Sequence, residues 1–458
     1  MKKILFISIL SGIVLSFTSC RSSDSESDSS SLADKNNNLS GVGKLNNTEY
    51  SFSVFQFNIW QEGTKVSGGY EAVVNEIAAR EPDFVTLSEI RNYNNTSFDQ
   101  RIVASLKAKG KTYYALKGND NGVLSKYPIK EYSEFSAYHR LLTEIVPGNE
   151  IAVYSGHLDY TNYAVNYPRG YDPVTFNELP APVTDPVKIS QSNNSSNRPK
   201  EIQEFLARVK EDIAKGRTIV LGGDFNEASH LDWTEAVKNL YDHRGVIMNW
   251  NSTLTLSKNG FKDSYRVMYP NEVEYPGFTW PAQASWAPKA DERDRIDYIF
   301  YYDDGTIRVK DSYIVGPKKT VVKNTPQLET SKDKFSEPVG IWPTDHKGVW
   351  TTFAVKTKNI STPTISLNKT AYALNENINI VYSNGSADPK AWIGIYRDGI
   401  TPGQNTAVNY STKWEYTNGQ INGSLNFKLN NSGKYFAAYF KDGGYTEIAP
   451  RVYFTYGN

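Results

Sequence analysis

The chain has 458 residues, enough for a large domain and a smaller companion, each with a substantial core. Lys+Arg and Asp+Glu both number 50, which excludes a global attraction to nucleic acid or anionic membrane and leaves polyanion binding to local grooves. Cys20 is the single cysteine, so a disulfide framework and a thiolate zinc site are also excluded.

Lys2 and Lys3 precede an apolar run from Ile4 to Phe17 that is too short for an ordinary transmembrane helix, so residues 1–20 read as a targeting segment. The run closes on Phe17-Thr18-Ser19-Cys20, which resembles a bacterial lipoprotein signal. Lipidation of Cys20 is the expectation: an anchor that does not span the membrane, and a place in the cell envelope, on the outer membrane or the cell surface. Residues 21–48 are rich in Ser, Asp and Asn and poor in large apolar side chains, the composition of a disordered tether.

Ser51–Ile59 (SFSVFQFNI) alternates with period two and is predicted as a strand, Tyr70–Arg80 has helical spacing, and Phe84–Leu87 is a short strand running into Ser88-Glu89. Ile151–Ser155 and Thr218–Leu221 are further strands, with a helix over Lys200–Lys215 between them. The stretch from His157 to Arg198 is rich in Tyr, Pro and Asn and has no core periodicity; its aromatics favour a substrate-facing loop over a loose insertion. Past the polar KTKNIST at Lys356–Thr362 the chain becomes short strands broken by Asn/Gly turns. Residues 49–356 are therefore expected as one domain and 363–458 as an all-β sandwich. In the latter, Ala391–Gly399 and Gly433–Tyr445 weakly resemble β modules appended to some phosphatases, which bind or position more often than they catalyse.

Six segments place a polar residue at the end of an apolar run: Phe55–Trp60 (FQFNIW), Val85–Arg91 (VTLSEIR), Tyr154–Tyr160 (YSGHLDY), Val220–Glu227 (VLGGDFNE), Asp294–Ile299 (DRIDYI) and Trp342–Lys347 (WPTDHK). Singly, each is an ordinary turn former or helix cap. If the strand ends converge at one sheet edge, Asp224 and Asn226, two apart in an extended segment, share a face. Glu89, Asn58 and Asp345 then offer the hard oxygens that Mg²⁺, Mn²⁺ or Ca²⁺ require, and no HExxH pair competes for a metal. An aspartate beside such an ion can orient or deprotonate water, and a histidine can stabilise the transition state.

These segments, in this order, resemble the endonuclease/exonuclease/phosphatase superfamily, which includes pancreatic-type DNases, abasic-site endonucleases, inositol-polyphosphate 5-phosphatases and neutral sphingomyelinases. The likeness spans residues 50 to about 355 and is most specific in GGDFN, RIDYI and TDH. It implies an α/β (α+β) fold, a four-layered α/β/β/α sandwich of two mixed sheets, and a metal-dependent phosphoric ester hydrolase. It also implies roles. Asn58, Glu89 and Asp345 belong to the metal site, Asp345 alternatively holding the histidines. Asp224 orients or activates water, Asn226 steadies the transition state, His346 contacts the scissile phosphate, and His157 contacts phosphate or assists the leaving group. Asp297 supports the late histidine or the leaving-group side.

The substrate is less constrained. Tyr160, Arg169, His230 and Arg295 flank the motifs and are expected to contact it. No Lys/Arg run lies beside the motifs, so no stable nucleic-acid partner is expected, and no dense cationic cluster awaits a dianion. A small-molecule, glycan or lipid-head-group phosphoester, diester in preference to monoester, fits a monomeric exported enzyme. A secreted nonspecific nuclease remains open, as does a surface glycan- or envelope-binding protein with a vestigial catalytic domain.

Overall fold

The computed structural model describes residues 49–357, 362–403 and 410–457. The targeting segment, the tether and Cys20 lie outside the described residues. Contacts group Lys44–Ile360 into one compact unit and Ser361–Asn458 into another.

The first unit opens with β1 (Glu49–Asn58), α1 (Gly69–Arg80), β2 (Phe84–Ile90), α2 (Phe98–Ala108) and β3 (Asp120–Ser125). A meander follows of β4 (Ile129–Phe135), β5 (Tyr138–Val146) and β6 (Asn149–His157). Next come α3 (Asn166–Arg169), α4 (Pro186–Asn193), α5 (Arg198–Ala214) and β7 (Thr218–Asp224). The remainder comprises α6 (Asn251–Lys258), β8 (Phe261–Asp263), α7 (Ser264–Met268), β9 (Asp297–Tyr302), β10 (Ile307–Val315), a hairpin of β11 (Lys319–Val322) and β12 (Thr325–Leu328), then β13 (Phe335–Ser336) and β14 (Gly348–Lys356).

Two six-stranded mixed sheets result, ordered β13-β10-β14-β1-β2-β3 and β4-β5-β6-β7-β9-β8. From Phe52 onward β1 is buried on both faces, as a central strand covered by helices on one side and a second sheet on the other must be. Three cores define the layers. Val73, Val74 and Ile77 of α1 and Ile102 and Leu106 of α2 pack on Phe55, Phe57, Val85 and Leu87. Phe52, Val54, Val153, Val220 and Ile299 fill the space between the sheets. Ile202, Phe205, Leu206 and Val209, the apolar stripe of α5, cover Tyr154, Ile219 and Leu221. The fold is thus α/β/β/α. Gly222 of β7 lets the sheets close up, since a Cβ there would lie 2.1 Å from the Thr86 hydroxyl oxygen of the opposite sheet.

The second unit is all β. Its strands are β15 (Thr364–Leu367), β16 (Ala371–Tyr372), β17 (Ile378–Ser383), β18 (Trp392–Arg397), β19 (Lys413–Tyr416), β20 (Gly423–Phe427), β21 (Gly433–Phe440) and β22 (Val452–Tyr456). A three-stranded sheet (β15-β17-β20) and a five-stranded one (β16-β22-β21-β18-β19) share a core that includes Ile378, Ile380, Ile393, Ile395 and Tyr439.

The segment after His157, expected as a loop without core periodicity, is packed into the core over part of its length and leaves Tyr160 exposed. Tyr163, Ala164, Val165 and Ile189 are buried in a cluster with Trp233, Trp250 and Trp280, and Asp185 caps α4 through the Val187 N–H. Tyr163–Val165 lie just before the single-turn α3 and Ile189 on the two-turn α4, elements too brief to leave a period in the sequence.

Candidate active site

Two ladders that share β7 assemble the centre. Parallel pairing of β6 with β7 sets His157 level with Asp224, and antiparallel pairing of β7 with β9 sets Asp224 level with Asp297. On the other sheet β1 ends at Asn58, level with Ser88 of β2. The β2–β3 register slips between Ser88 and Ile90, and Glu89 takes a left-handed φ of 71°. That bulge lifts the Glu89 carboxylate out of strict alternation, while Ile90 pairs with Asp120 at the same edge. Asp345 and His346 arrive in the turn just before β14, the other neighbour of β1.

Asp224 lies between two histidines, each backed by its own carboxylate. His157 Nδ1 is 2.7 Å from Asp120 Oδ2, and its Nε2 is 3.8 Å from Asp224 Oδ2. His346 Nδ1 is 2.9 Å from Asp297 Oδ2, and its Nε2 is 3.7 Å from the same Asp224 oxygen. Burial alone would lower the His157 pKa, but the bond and charge of Asp120, with Asp224 and Glu89 behind it, hold it up at about 9. His346 is likewise held well above the ordinary imidazole value, burial being outweighed by Asp297 and Asp224. Asp224 is raised by burial and by Asp297, against the pull of His346 and His157. Each imidazole is therefore fixed at Nδ1 and presents Nε2 as a donor beside Asp224.

The supporting contacts are equally specific. Asn58 accepts the Trp60 N–H at Oδ1 (2.9 Å), so its amide nitrogen faces inward and donates to Asp224 Oδ2 (2.9 Å) and Glu89 Oε1 (3.2 Å). The Asn226 N–H donates to Asp224 Oδ1 (2.9 Å), and its side-chain amide to the Leu158 carbonyl (3.0 Å). Gln56 Nε2 reaches Asp297 Oδ1 at 3.4 Å, and the Trp280 ring stands 5.0 Å from the His346 ring.

The family model described as Endonuclease/Exonuclease/phosphatase family matches residues 55–346, from β1 to His346 itself. The chain belongs to that family. Membership supports phosphoester hydrolysis as its activity. A 273-residue stretch is 29% identical to the uncharacterized protein F14F9.5 of Caenorhabditis elegans, covering 56% of this chain and 81% of that protein. Among solved structures, an endonuclease/exonuclease/phosphatase from Beutenbergia cavernae is 13% identical with a TM-score of 0.38, covering 88% of this chain and 99% of that one. An AP endonuclease from Archaeoglobus fulgidus is 14% identical with a TM-score of 0.39, over 66% of this chain and 98% of that one.

Enzymes of the family typically depend on a divalent metal, and two groupings here have donors for one. Ligand atoms of Asp224, Asp297 and His346 lie within 4.8 Å of one another. His346 and Asp297, however, already satisfy each other through a hydrogen bond. The alternative is the carboxylates of Glu89 and Asp345 beside Asp224. Burial, then repulsion from Glu89 and Asp224 against the pull of His346, pushes Asp345 up to about 7. Carboxylates whose charges act on one another offer the hard oxygens such an ion takes, so Glu89 and Asp345 would hold it, with Asp224 adjoining.

Several expected residues are placed differently by the structure. Asp224 and Asn226 do not share an extended segment: β7 ends at Asp224 and Asn226 has φ 48°, the two being joined by a turn. Asn58 bridges the Asp224 and Glu89 carboxylates through its amide nitrogen, while its oxygen accepts the Trp60 N–H and keeps a second lone pair. Arg169 is buried in an ion pair with Asp294, and Arg295 is buried against Asp232 and Asp263, so neither guanidinium reaches a substrate. His230 is tied to α6 through the Thr253 hydroxyl at 2.8 Å. Tyr160 alone of the four is open, at 65% exposed. Asp120 and Gln56 escaped the sequence reading: one sits in a GNDNG stretch that resembles a turn, the other in plain strand alternation.

Proposed function

We propose that the protein is a divalent-metal-dependent phosphodiesterase acting on a small-molecule, glycan or lipid-head-group ester outside the cytoplasm, with Mg²⁺ the favoured ion and Mn²⁺ or Ca²⁺ alternatives. The observation that carries this is Asp224 set between two carboxylate-backed imidazoles. Asp224 takes the water, oriented for in-line attack. His157 and His346, protonated at Nε2, face the phosphoryl oxygens and the leaving group, and one of them can deliver a proton to the departing oxygen. Asn226, pinned beside Asp224, sits where it can donate to the developing charge. Glu89 and Asp345 would hold a divalent cation, which would supply charge neutralisation at a phosphoryl oxygen.

The diester preference follows from the charges available. Arg91, 31% exposed, neighbours the site but is engaged by Asp120 and Glu89, while Arg169 and Arg295 are locked in buried pairs. Each imidazolium is already paired with its own carboxylate, and Arg91 is engaged as well, so little uncompensated positive charge is left for a dianion and a monoanion is favoured. Tyr160, two residues beyond the Leu158 that Asp224 and Asn226 grip, is the favoured substrate contact. Export and anchoring through Cys20 belong to the same proposal, supported by the basic start and short apolar run.

The test is turnover by the purified protein of bis(p-nitrophenyl) phosphate, p-nitrophenyl phosphate, inositol phosphates, sphingomyelin and plasmid DNA, with each metal and after EDTA. Metal-restored activity on small diesters is expected. Cleavage of DNA alone, with steep salt dependence, would establish a nuclease instead.

A further inference from the structure

We infer that Asp294 is a positioning residue, which carries the grip of the 158–197 segment through to His346. This inference rests on the phosphoesterase reading of His346 given above.

Asp294 is 2% exposed, and its carboxylate takes donors from two separate stretches of chain. Arg169 Nη1 and the Tyr163 hydroxyl (3.3 Å) come from the segment after β6, and Trp233 Nε1 (3.3 Å) comes from the loop after β7. Arg169 Nη2 also donates to the Arg293 carbonyl at 3.1 Å, so the guanidinium spans two adjacent residues. The Asp294 main chain is bound as firmly. Its N–H donates to the Trp280 carbonyl at 3.0 Å, and its own carbonyl accepts from Trp280 at 3.0 Å and Thr279 at 3.1 Å.

Those two partners hold the catalytic dyad. The Thr279 hydroxyl oxygen accepts the N–H groups of Ile296 (3.0 Å) and Asp297 (3.1 Å), and the Thr279 carbonyl accepts the N–H of Lys347 at 2.6 Å. Thr279 therefore joins the residue that backs His346 to the residue that follows it. Trp280 lies against the imidazole, ring centroids 5.0 Å apart and planes at 54°. Asp294 touches neither His346 nor Asp224 and acts through these neighbours.

A buried carboxylate with a guanidinium opposite is a stiff support, because displacing either member leaves the other charge uncompensated. Stiffness matters where an imidazole must meet a phosphoryl oxygen, since a misplacement of about 1 Å can cost about a hundredfold in rate. Arginine 169 thereby acquires a role different from substrate contact: it gives the segment after β6 a hold on the centre from behind.

The experiment uses full-length protein labelled with ¹⁵N-histidine, in which the Nδ1–H resonance of His346 is identified by its loss in His346→Gln. Asp294→Asn is expected to displace or broaden that resonance and to lower kcat on bis(p-nitrophenyl) phosphate about 10- to 100-fold, with KM within about twofold. Arg169→Lys, which keeps the charge but cannot span both acceptors, is expected to fall between the variant and the parent. A purely structural role predicts a lower unfolding midpoint with resonance and kcat per folded molecule unchanged, and that result overturns the inference. If Asp294→Asn does not fold, Tyr163→Phe decides: it removes one hydrogen bond, and a moved resonance with a kcat two- to fivefold lower, roughly, supports the inference, whereas no change in either refutes it. Failure of the parent protein to turn over any ester would sink the phosphoesterase reading and leave the resonance comparison to decide this one.

Discussion

Replacing Asp120 with Asn isolates the charge that keeps His157 protonated. With its pKa at about 9, His157 is about 97% imidazolium at pH 7.5. The chief upward influence is the 2.7 Å bond and charge of Asp120, while burial acts downward. Without Asp120 the imidazole should titrate at or below the ordinary value near 6.5, leaving about a tenth protonated at pH 7.5. The rate at that pH should then fall about tenfold or more and return on acidification, the basic limb of the pH–rate profile moving from near 9 to about 6.5 or lower. Profiles of kcat/KM on bis(p-nitrophenyl) phosphate from pH 5.5 to 10 measure this, and Asp120→Glu should keep the limb high. The stability linkage has a matching sign. A histidine raised by folding contributes stability that is complete below about 6.5 and lost as pH rises through about 9. Asp120→Asn should therefore be less stable than the parent at pH 6.5 and converge with it near pH 10. A limb that stays near 9, or a loss of rate equal at every pH, would refute the assignment.

Other substitutions address the centre and the packing behind it. Asp224→Asn and His346→Ala should each lower kcat by roughly 10³-fold or more; Asp224→Asn should cost little stability, because it removes a buried charge, and substantial residual turnover in either would remove that residue from the mechanism. Gly222→Ala drives a methyl group into Thr86, so unfolding in urea should show a loss of about 1–3 kcal/mol, partly recovered by adding Thr86→Ala; an unchanged midpoint would mean the sheets are less tightly apposed. His243, stacked on Trp233 at 3.6 Å, has its pKa lowered to about 2 by burial and by Arg169. The unfolded chain takes up that proton below about 6.5 and the folded one does not, so stability falls with pH across this window, by about 2 kcal/mol from this residue at pH 5. His243→Gln should flatten that slope relative to the parent, and identical slopes would show the histidine to be protonated in the fold.

How much of this was legible in the sequence depended on the range of the interaction responsible. Ser51–Ile59, Tyr70–Arg80 and Phe84–Leu87 carry their periodicity in consecutive residues and correspond closely to β1, α1 and β2. The motif residues Glu89, His157, Asp224, Asp297 and His346 converge because strands end where apolar runs end, a local signal. The misplacements arose where a partner is remote. Arg169 and Arg295 look like substrate cations until Asp294, Asp232 and Asp263 fold onto them. Asp120 becomes functional only through the pairing of β3 with β2 beside β6, a register that no stretch of sequence states. Asn226 leaves the face expected for it because a strand end cannot be located to one residue by alternation alone.

The bulge at Glu89 has an evolutionary consequence. A glutamate at φ 71° occupies backbone space that glycine or asparagine fills with less strain, by about 1 kcal/mol. Selection for thermal endurance and selection for turnover therefore pull this position in opposite directions. A library sorted by heat resistance alone should drift toward Gly or Asn at residue 89 and go silent, whereas one sorted by hydrolysis should return Glu. The residue that a stability screen discards first is the one the chemistry holds in place.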